Sequence, residues 1–493
     1  MAALFDALLR SQSEVTVFVD ALCINQRDLR EKAEQVRRIG DVYAHADRVV
    51  VWLGAGDSVV GQAFRFMREG MVGEGVVGRS SDVVDALMAL LKRRWFQRVW
   101  VVQEVILGSN IAVACGDDVV DFETLKDAVL SLWECDESVG FFDIRHPAYL
   151  GFRCATRLFA LCDEFRKNGR ICLEALFEAI FYYSATDSRD FVFAIRGIAK
   201  SVEFLPDPDY TASIEAVFTH TAENILCKGK SLDLLSMCGL GPIAQASDFL
   251  EYCGKPRQVL AEQLPSWVPD FRQLAYNEPM LACEMGDWDA SGPLGESPSR
   301  NGNGLQVDVV VLDTIARVSD EIDTMEFDPL RSSLLDVLDT ANSGLDRLSS
   351  RHISDTVWRT LVMDRDLDDE PALPELGLAF EDLLQGLDEG REWEDIEQNE
   401  FYRIIRVRTD SWCTFTSRKG YFGVTWPLIR EGDLLCLLPG CRFPLVIRPV
   451  DTEAPSSSKA LRRGALIGWC YVHGIMHGEA IRKRQEVERM VLV

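Results

Sequence analysis

No apolar run in the 493 residues approaches the roughly 18 that would carry a helix across a bilayer, which argues against a membrane span. The opening segment MAALFDALLRSQSE has neither the basic stretch nor the cleavage site of a secretory signal. The expected location is therefore cytoplasmic. No C-x-x-C pair occurs among the 14 cysteines, so they read as reduced, mostly buried thiols and not as a disulfide framework. Basic residues are also scarce, with 52 Lys and Arg against 78 Asp and Glu and a formal net charge of -26. Nucleic acid is a poor candidate partner for such a chain, because binding it needs a basic footprint. No fixed-period repeat is visible.

What is present is a globular composition, 47% hydrophobic and 26% charged, in a chain too long for one ordinary core. The first 130 residues alternate short apolar strands with helical patterns, as βαβ units and a parallel sheet do. VTVFV (15–19) reads as a strand buried on both faces that ends at Asp20. Ala33, Val36, Ile39, Tyr43 and Ala46 recur at helical spacing, and RVVVWL (48–53) reads as the next strand, stopped by Gly54 and Gly56. Helical stretches at 59–69 and 82–93 precede RRWFQRVWVVQEVIL, and NIAVAC (110–115) reads as a further short strand. Helical periodicity dominates from about 121 to 240, with a charged break at TDSRD (186–190) and an extended PDPDY (206–210). The segment 340–400 reads as an exposed acidic helical insertion or partly disordered stretch, with fifteen acidic residues between Asp364 and Glu400 against Arg365 and Arg391. After Phe401 the period becomes that of strands, in RIIRVRT, WCTFTS, YFGVTW, DLLCLLPG, FPLVIRPV and ALIGWCYV. The fold class expected is an incomplete α/β domain (1–130), a helical region (131–290), an irregular acidic and partly helical segment (291–400) and a β-rich module (401–493), α+β overall.

Several residue groups invite chemistry. GEGVVG (73–78) matches G-x-G-x-x-G, but it follows a helical pattern and no strand, so it reads as a loop and not a dinucleotide turn. Cys470, His473, His477 and Glu479 are all metal-ligand types. A continuing strand would point Cys470 and His473 to opposite faces, and a structural turn is the simpler reading. Cys23 and His45 offer a thiol and a base, against the commoner outcome of a buried thiol. The most informative group is Asp20 at a strand's carboxyl end, Asn25 and Gln26 just after it, and Trp100 with Glu104 further on. Open α/β sheets gather ligands at the carboxyl ends of strands, and a spacing of four puts Trp100 and Glu104 on one helix face. The simpler alternative is a helix packing Trp100, Val101 and Val105 into the core with Glu104 at its rim.

At these residues the sequence resembles the fungal heterokaryon-incompatibility (HET) domain family. The resemblance rests on VFVDALCINQ (17–26), QVRRIGDVYAHADRVVVWLG (35–54) and WFQRVWVVQEVILG (95–108) with the trailing Cys115 and Gly116. It continues in ATDSRDFVFAIRGIA (185–199), DPDY (207–210), LPSWVPDF (264–271), GYFGVTWPLIREGDLLCLLPG and GWCYVHGIMHGEA. Family members usually begin with a strand and turn resembling Y-x-x-L-S-Y-x-W-G, and nothing of that kind precedes Val15, so the domain is expected to lack its first strand. The resemblance implies induction of regulated cell death in fungal non-self recognition, with protein partners through self-association or an allelic incompatibility partner. The HET domain is in turn similar to TIR domains, of flavodoxin-like order, many of which cleave nicotinamide from NAD with a glutamate in a W-x-x-x-E setting. Trp100, Val101, Val102, Gln103 and Glu104 match that spacing. This implies Glu104 as the candidate catalytic carboxylate, NAD as the candidate substrate, and Asp20, Cys23, Asn25, Gln26, Trp100 and Gln103 as ligand-binding or site-shaping residues. No metal is implied. A non-catalytic scaffold that oligomerises and recruits partners, or an inactive truncated remnant, are the alternatives.

Overall fold

The computed structural model describes residues 16–70, 81–134, 148–180, 182–229, 231–239, 264–272, 288–293, 295–344, 350–450, 461–481 and 486–493. The chain divides into two compact units, Met1–Val217 and Phe218–Val493. The GEGVVG loop lies outside the described residues.

In the first unit a short helix, α1 (Asp20–Cys23), leads into α2 (Leu29–His45). The Asp28 side chain caps α2 by accepting from the amides of Arg30 and Glu31 at 3.0 and 3.1 Å, which satisfies two of the donors that a helix start leaves open. Val36 and Ile39, three apart, turn its apolar stripe inward. Strand β1 (Val49–Trp52) follows, then α3 (Ser58–Arg68), α4 (Ser81–Leu91), a 3-10 turn at Arg94–Gln97 and α5 (Val101–Leu107). Strands β2 (Ile111–Cys115) and β3 (Asp118–Asp121) complete a three-stranded sheet. β1 pairs with β2 in parallel and β2 with β3 antiparallel, through a tight turn in which Gly116 takes φ +59°. The sheet is thus mixed, where the sequence pattern suggested a parallel one. The helices α6 (Phe122–Leu130) and α7 (Tyr149–Asn168) bury Leu125, Val129, Leu158 and Phe159 behind it.

The described part of VTVFV, residues 16–19, does not form the buried strand expected of that run. Residues 16–19 belong to no strand, and Val17 and Phe18 are exposed. An extended run becomes a strand only when a neighbour takes its backbone donors and acceptors, and among the described residues β1 pairs with β2 alone.

Helix α8 (Ile214–Lys228) spans the division between the units. The second unit holds β4 (Ser299–Asn301) and the 18-residue β5 (Gly304–Glu321). A helical layer follows: α9 (Phe327–Gly344), α10 (Ser350–Leu361), α11 (Glu375–Glu389) and α12 (Glu400–Arg408). β6 (Cys413–Ser417), β7 (Phe422–Thr425), β8 (Leu434–Leu437), β9 (Leu445–Pro449), β10 (Arg462–Val472) and β11 (Glu488–Leu492) complete it. Each strand from β6 to β10 falls on an expected apolar run. Neighbours pair in the order β10-β7-β6-β5-β8-β9, and β9 pairs back with β10, so the sheet closes on itself. β11 bridges β5 and the start of β10. Inside the ring lie Val310, Leu312, Ile315, Phe415, Leu435, Leu437, Val446, Ile467, Cys470 and Val472, all buried.

Two sequence expectations change here. RIIRVRT (403–409) is helical up to Arg408: Asn399 caps α12 by accepting from the Tyr402 amide at 3.1 Å, and Phe401, Ile404, Ile405 and Arg408 are buried at helical spacing. Tertiary packing of that stripe overrides the β-propensity of the isoleucines. The acidic segment is also no exposed insertion. Leu376, Phe380, Leu383 and Leu387 of α11 share one core with Leu334, Val357, Trp358, Phe401, Ile405 and Phe422, while the carboxylates occupy the other faces.

Candidate functional site

Glu104 sits in the first turn of α5 and is held from two sides. The 3-10 turn before the helix folds Trp95 back, and its Nε1–H donates to Glu104 Oε2 at 3.3 Å. Tyr43, near the end of α2, hydrogen-bonds the same carboxylate. Burial pushes the Glu104 carboxyl above the usual carboxylate range and Asp20 adds to this, while Arg98 and the bonds from Trp95 and Tyr43 pull it down. Burial likewise raises the Tyr43 hydroxyl, with Glu104 and Asp20 adding to the rise. Arg98 pairs with Asp20 at 3.9 Å. Asp20 and Glu104, eighty-four positions apart in sequence, therefore belong to one electrostatic cluster with Tyr43, Trp95 and Arg98.

The other expected residues take different places. Gln26 Nε2 lies 3.4 Å from the Asp20 carbonyl, Asn25 Oδ1 accepts from the Arg27 amide at 3.2 Å, and the Asn25 amide donates to Glu31 Oε1 at 2.9 Å. These bonds shape the loop itself. Cys23 is exposed, not buried, with its sulfur 3.4 Å from the Val19 amide. His45 bonds the Asp41 carbonyl through Nδ1 at 2.8 Å. Gln103 points into the core, where a Cβ added at Gly197 would lie 2.9 Å from its Oε1 and one at Gly40 3.4 Å away. The two glycines leave just enough room for the amide. Trp100 stands one helical turn before Glu104, whose amide donates to the Trp100 carbonyl at 3.2 Å, but the two side chains take different partners. Trp100 starts the helix, and its indole bonds Asp190.

That bond leads to a second network, at a segment that in sequence is only a charged break. Arg189 makes a bidentate pair with Asp187 at 2.8 Å on each oxygen and donates to the carbonyls of Tyr210 and Ala212 at 2.7 and 2.5 Å. Tyr210 donates to Asp190 at 2.6 Å, and Lys32 Nζ lies 3.6 Å from the centre of the Tyr210 ring. Burial raises the Asp190 carboxyl, against the bonds from Tyr210 and Trp100. TDSRD and PDPDY are thus two halves of one clamp around the start of α5 and of α2. Tyr43, Trp95 and Arg98 lie inside the HET-like segments 35–54 and 95–108, but no spacing rule links residue 43 to residue 104.

In the second unit Cys470 is buried, with its Sγ 3.6 Å from the Pro444 carbonyl, and His473 contacts the Tyr471 hydroxyl at 3.2 Å. Burial lowers the His473 imidazole and drives Cys470 well above the usual thiol range. Among the described residues no group of three or more His, Cys, Asp or Glu is placed to hold a metal, and no helix is long and apolar enough to cross a membrane.

The fold and its motifs define a class: a small α/β sheet whose helices enclose a glutamate, in a chain that ends in a closed β-barrel with a helical cover. Residues 2–104 match the family model described as heterokaryon incompatibility protein (HET), and residues 381–493 match the Het-6 beta-barrel domain. The chain is 24% identical to heterokaryon incompatibility protein 6, OR allele, of Neurospora crassa, over 95% of this chain and 82% of that protein. No solved structure matches. These matches support a fungal HET-domain protein.

Proposed function

We propose that this chain acts in heterokaryon incompatibility, inducing regulated cell death when fungal cells of unlike genotype fuse, and that the first unit does so by cleaving nicotinamide from NAD. The HET match and the named relative support the first part. The observation that carries the second is the enclosed Glu104 carboxylate, held by Trp95 and Tyr43 beside Asp20 and Arg98. As an N-glycosidic bond breaks, the ribosyl carbon becomes oxocarbenium-like, and a preorganised carboxylate out of water stabilises that charge. Glu104 supplies the charge, Trp95 and Tyr43 fix its orientation, and Asp20 with the Asn25–Gln26 loop positions the ribose. Its raised carboxyl makes the charged form a property of higher pH, so turnover rises as pH climbs through its folded value. The site is TIR-like in this reading, within a cytoplasmic protein of four segments (1–130, 131–290, 291–400 and 401–493).

A scaffold that self-associates or recruits an allelic partner is the second reading. Exposed Val17, Phe18 and Leu22 beside the DALCINQ loop favour it, and an inactive remnant is its limiting case. The test is to express the chain in fungal cells and follow NAD and viability for wild type and Glu104→Gln. Gln keeps the shape and loses the charge, at a cost of roughly 3–4 kcal/mol, or a few hundredfold in rate. Death with NAD unchanged, or equal killing by Glu104→Gln, sinks the enzymatic reading and leaves the scaffold.

A further inference from the structure

The barrel wall carries an aromatic layer that the functional reading does not use. Cys413 pairs with Thr425, and Thr425 with Cys470. Cys413 and Cys470 both face the barrel core. Side chains alternate along a strand, so Trp412, Trp426 and Trp469, each one step from this register, turn to the opposite face. Trp412 stands 4.6 Å from Trp426 and 5.4 Å from Trp469, measured between ring centres, and Phe443 packs 5.2 Å from Trp469. None of the three is more than 2% exposed.

Among the described residues none of the three indole Nε1–H groups has a hydrogen-bond partner, nor has the buried Thr414 hydroxyl, two residues along the chain from Trp412. An indole nitrogen can only donate, and no flip or rotamer turns it into anything else. Among the described residues the layer therefore has donors and no acceptor for them. Buried donors in folded proteins are satisfied almost without exception, and where the chain supplies no acceptor a buried water does so, bonding to about three otherwise unpaired groups. Water also suits the chemistry: it is small enough to reach a layer this closed, and it needs no counter-charge. An anion would have to shed its hydration to enter.

We propose that Trp412, Trp426 and Trp469, with the Thr414 hydroxyl, form an internal binding site for ordered water between the barrel wall and its cover. The donors of the site are the three indole N–H groups and the Thr414 hydroxyl, and its occupant belongs to the native fold.

The experiment uses the full chain with its tryptophans 15N-labelled at the indole. The 11 tryptophans give few enough indole signals to resolve, and Trp412→Phe, Trp426→Phe and Trp469→Phe assign three of them. The expected result is a cross-peak to water, of the sign shown by long-resident molecules, at all three indole protons. Thr414→Val leaves the rings in place and keeps the fold testable if a tryptophan variant does not fold. It is expected to weaken the water cross-peak at the indole of Trp412 severalfold. Absence of water cross-peaks at all three indoles overturns the proposal. So does a saturable shift of these signals on titration with chloride or nitrate, which would make the occupant an anion.

Discussion

β5 is the strand without which the barrel cannot close, and it lies outside the segment 381–493 that matches the barrel family. A fragment covering 381–493 should therefore fail to fold, whereas 299–493 should fold. The magnitude follows from what β5 buries. Leu305, Val307, Val309, Val310, Leu312 and Ile315 are each no more than 2% exposed, and full burial of such a side chain contributes about 1.5–3 kcal/mol. Six of them sum to roughly 9–18 kcal/mol, at or above the whole stability of an ordinary domain, about 5–15 kcal/mol. Losing β5 also strips β6 and β8 of a partner on one side and β11 of its antiparallel register. A graded version is Leu312→Ala in the full chain, expected to cost about 2–5 kcal/mol. The assays are near-UV circular dichroism and the urea midpoint of each fragment. A fragment 381–493 with native near-UV signal and a cooperative transition would refute the reasoning.

Trp95→Phe removes the donor to Glu104 and should lower turnover while leaving the network at Asp190 intact; Trp100→Phe should do the reverse, costing about 1–3 kcal/mol of stability by stranding a buried carboxyl partner. Parallel thermal melts and NAD assays of the two variants distinguish them, and identical profiles would contradict the assignment. Glu104 and Asp190 both have carboxyls raised by burial, so the folded state holds their protons more tightly than the unfolded chain does. That contribution to stability is full below the unfolded carboxylate range and is lost as pH rises through the folded values; Glu104→Gln with Asp190→Asn should flatten this slope in melts between pH 4 and 8 on the scale of ~2 protonation sites. Gly197→Ala drives a methyl to within 2.9 Å of Gln103 Oε1, an overpacking expected to cost about 1–3 kcal/mol, and an unchanged melting temperature would show that the amide has room to move.

Much of this was legible in the sequence. The helical spacing of Ala33, Val36, Ile39, Tyr43 and Ala46 marked α2, and Gly54 after VVVW marked the end of β1. The apolar runs of β6 to β10 gave the barrel its wall. β5 was not legible, because its alternation slips where the register shifts between Val311 and Asp313 and between Ile315 and Arg317, and a bulge resets the period on which such readings depend. RIIRVRT misled because its β-branched residues favour a strand in isolation, while Asn399 and the helical core decide otherwise. At the candidate site the sequence already grouped Asp20 with Trp100 and Glu104. It could not show that Trp95 donates to the carboxylate, because that contact depends on how the 3-10 turn at Arg94–Gln97 packs ahead of α5, which no α-helical spacing covers.

The order in which the strands leave the ribosome gives β5 a further consequence. Between its last residue, Glu321, and Cys413 of β6 lie roughly ninety residues, which at about 5–20 residues per second is some 5–20 seconds of synthesis. For that interval an 18-residue strand with six buried apolar side chains has none of the neighbours β6, β8 and β11. The element translated directly after it is α9, whose Leu330, Leu334, Val337 and Ala341 are buried and which packs on β5 in the finished unit. A helix forms in about a microsecond, so α9 is ready to cover one face of β5 long before its partner strands exist. The helical layer is then a nascent-chain guard as well as a cover, and slowing synthesis between residues 345 and 412 should leave the full-length product more dependent on chaperones than slowing it anywhere after β6.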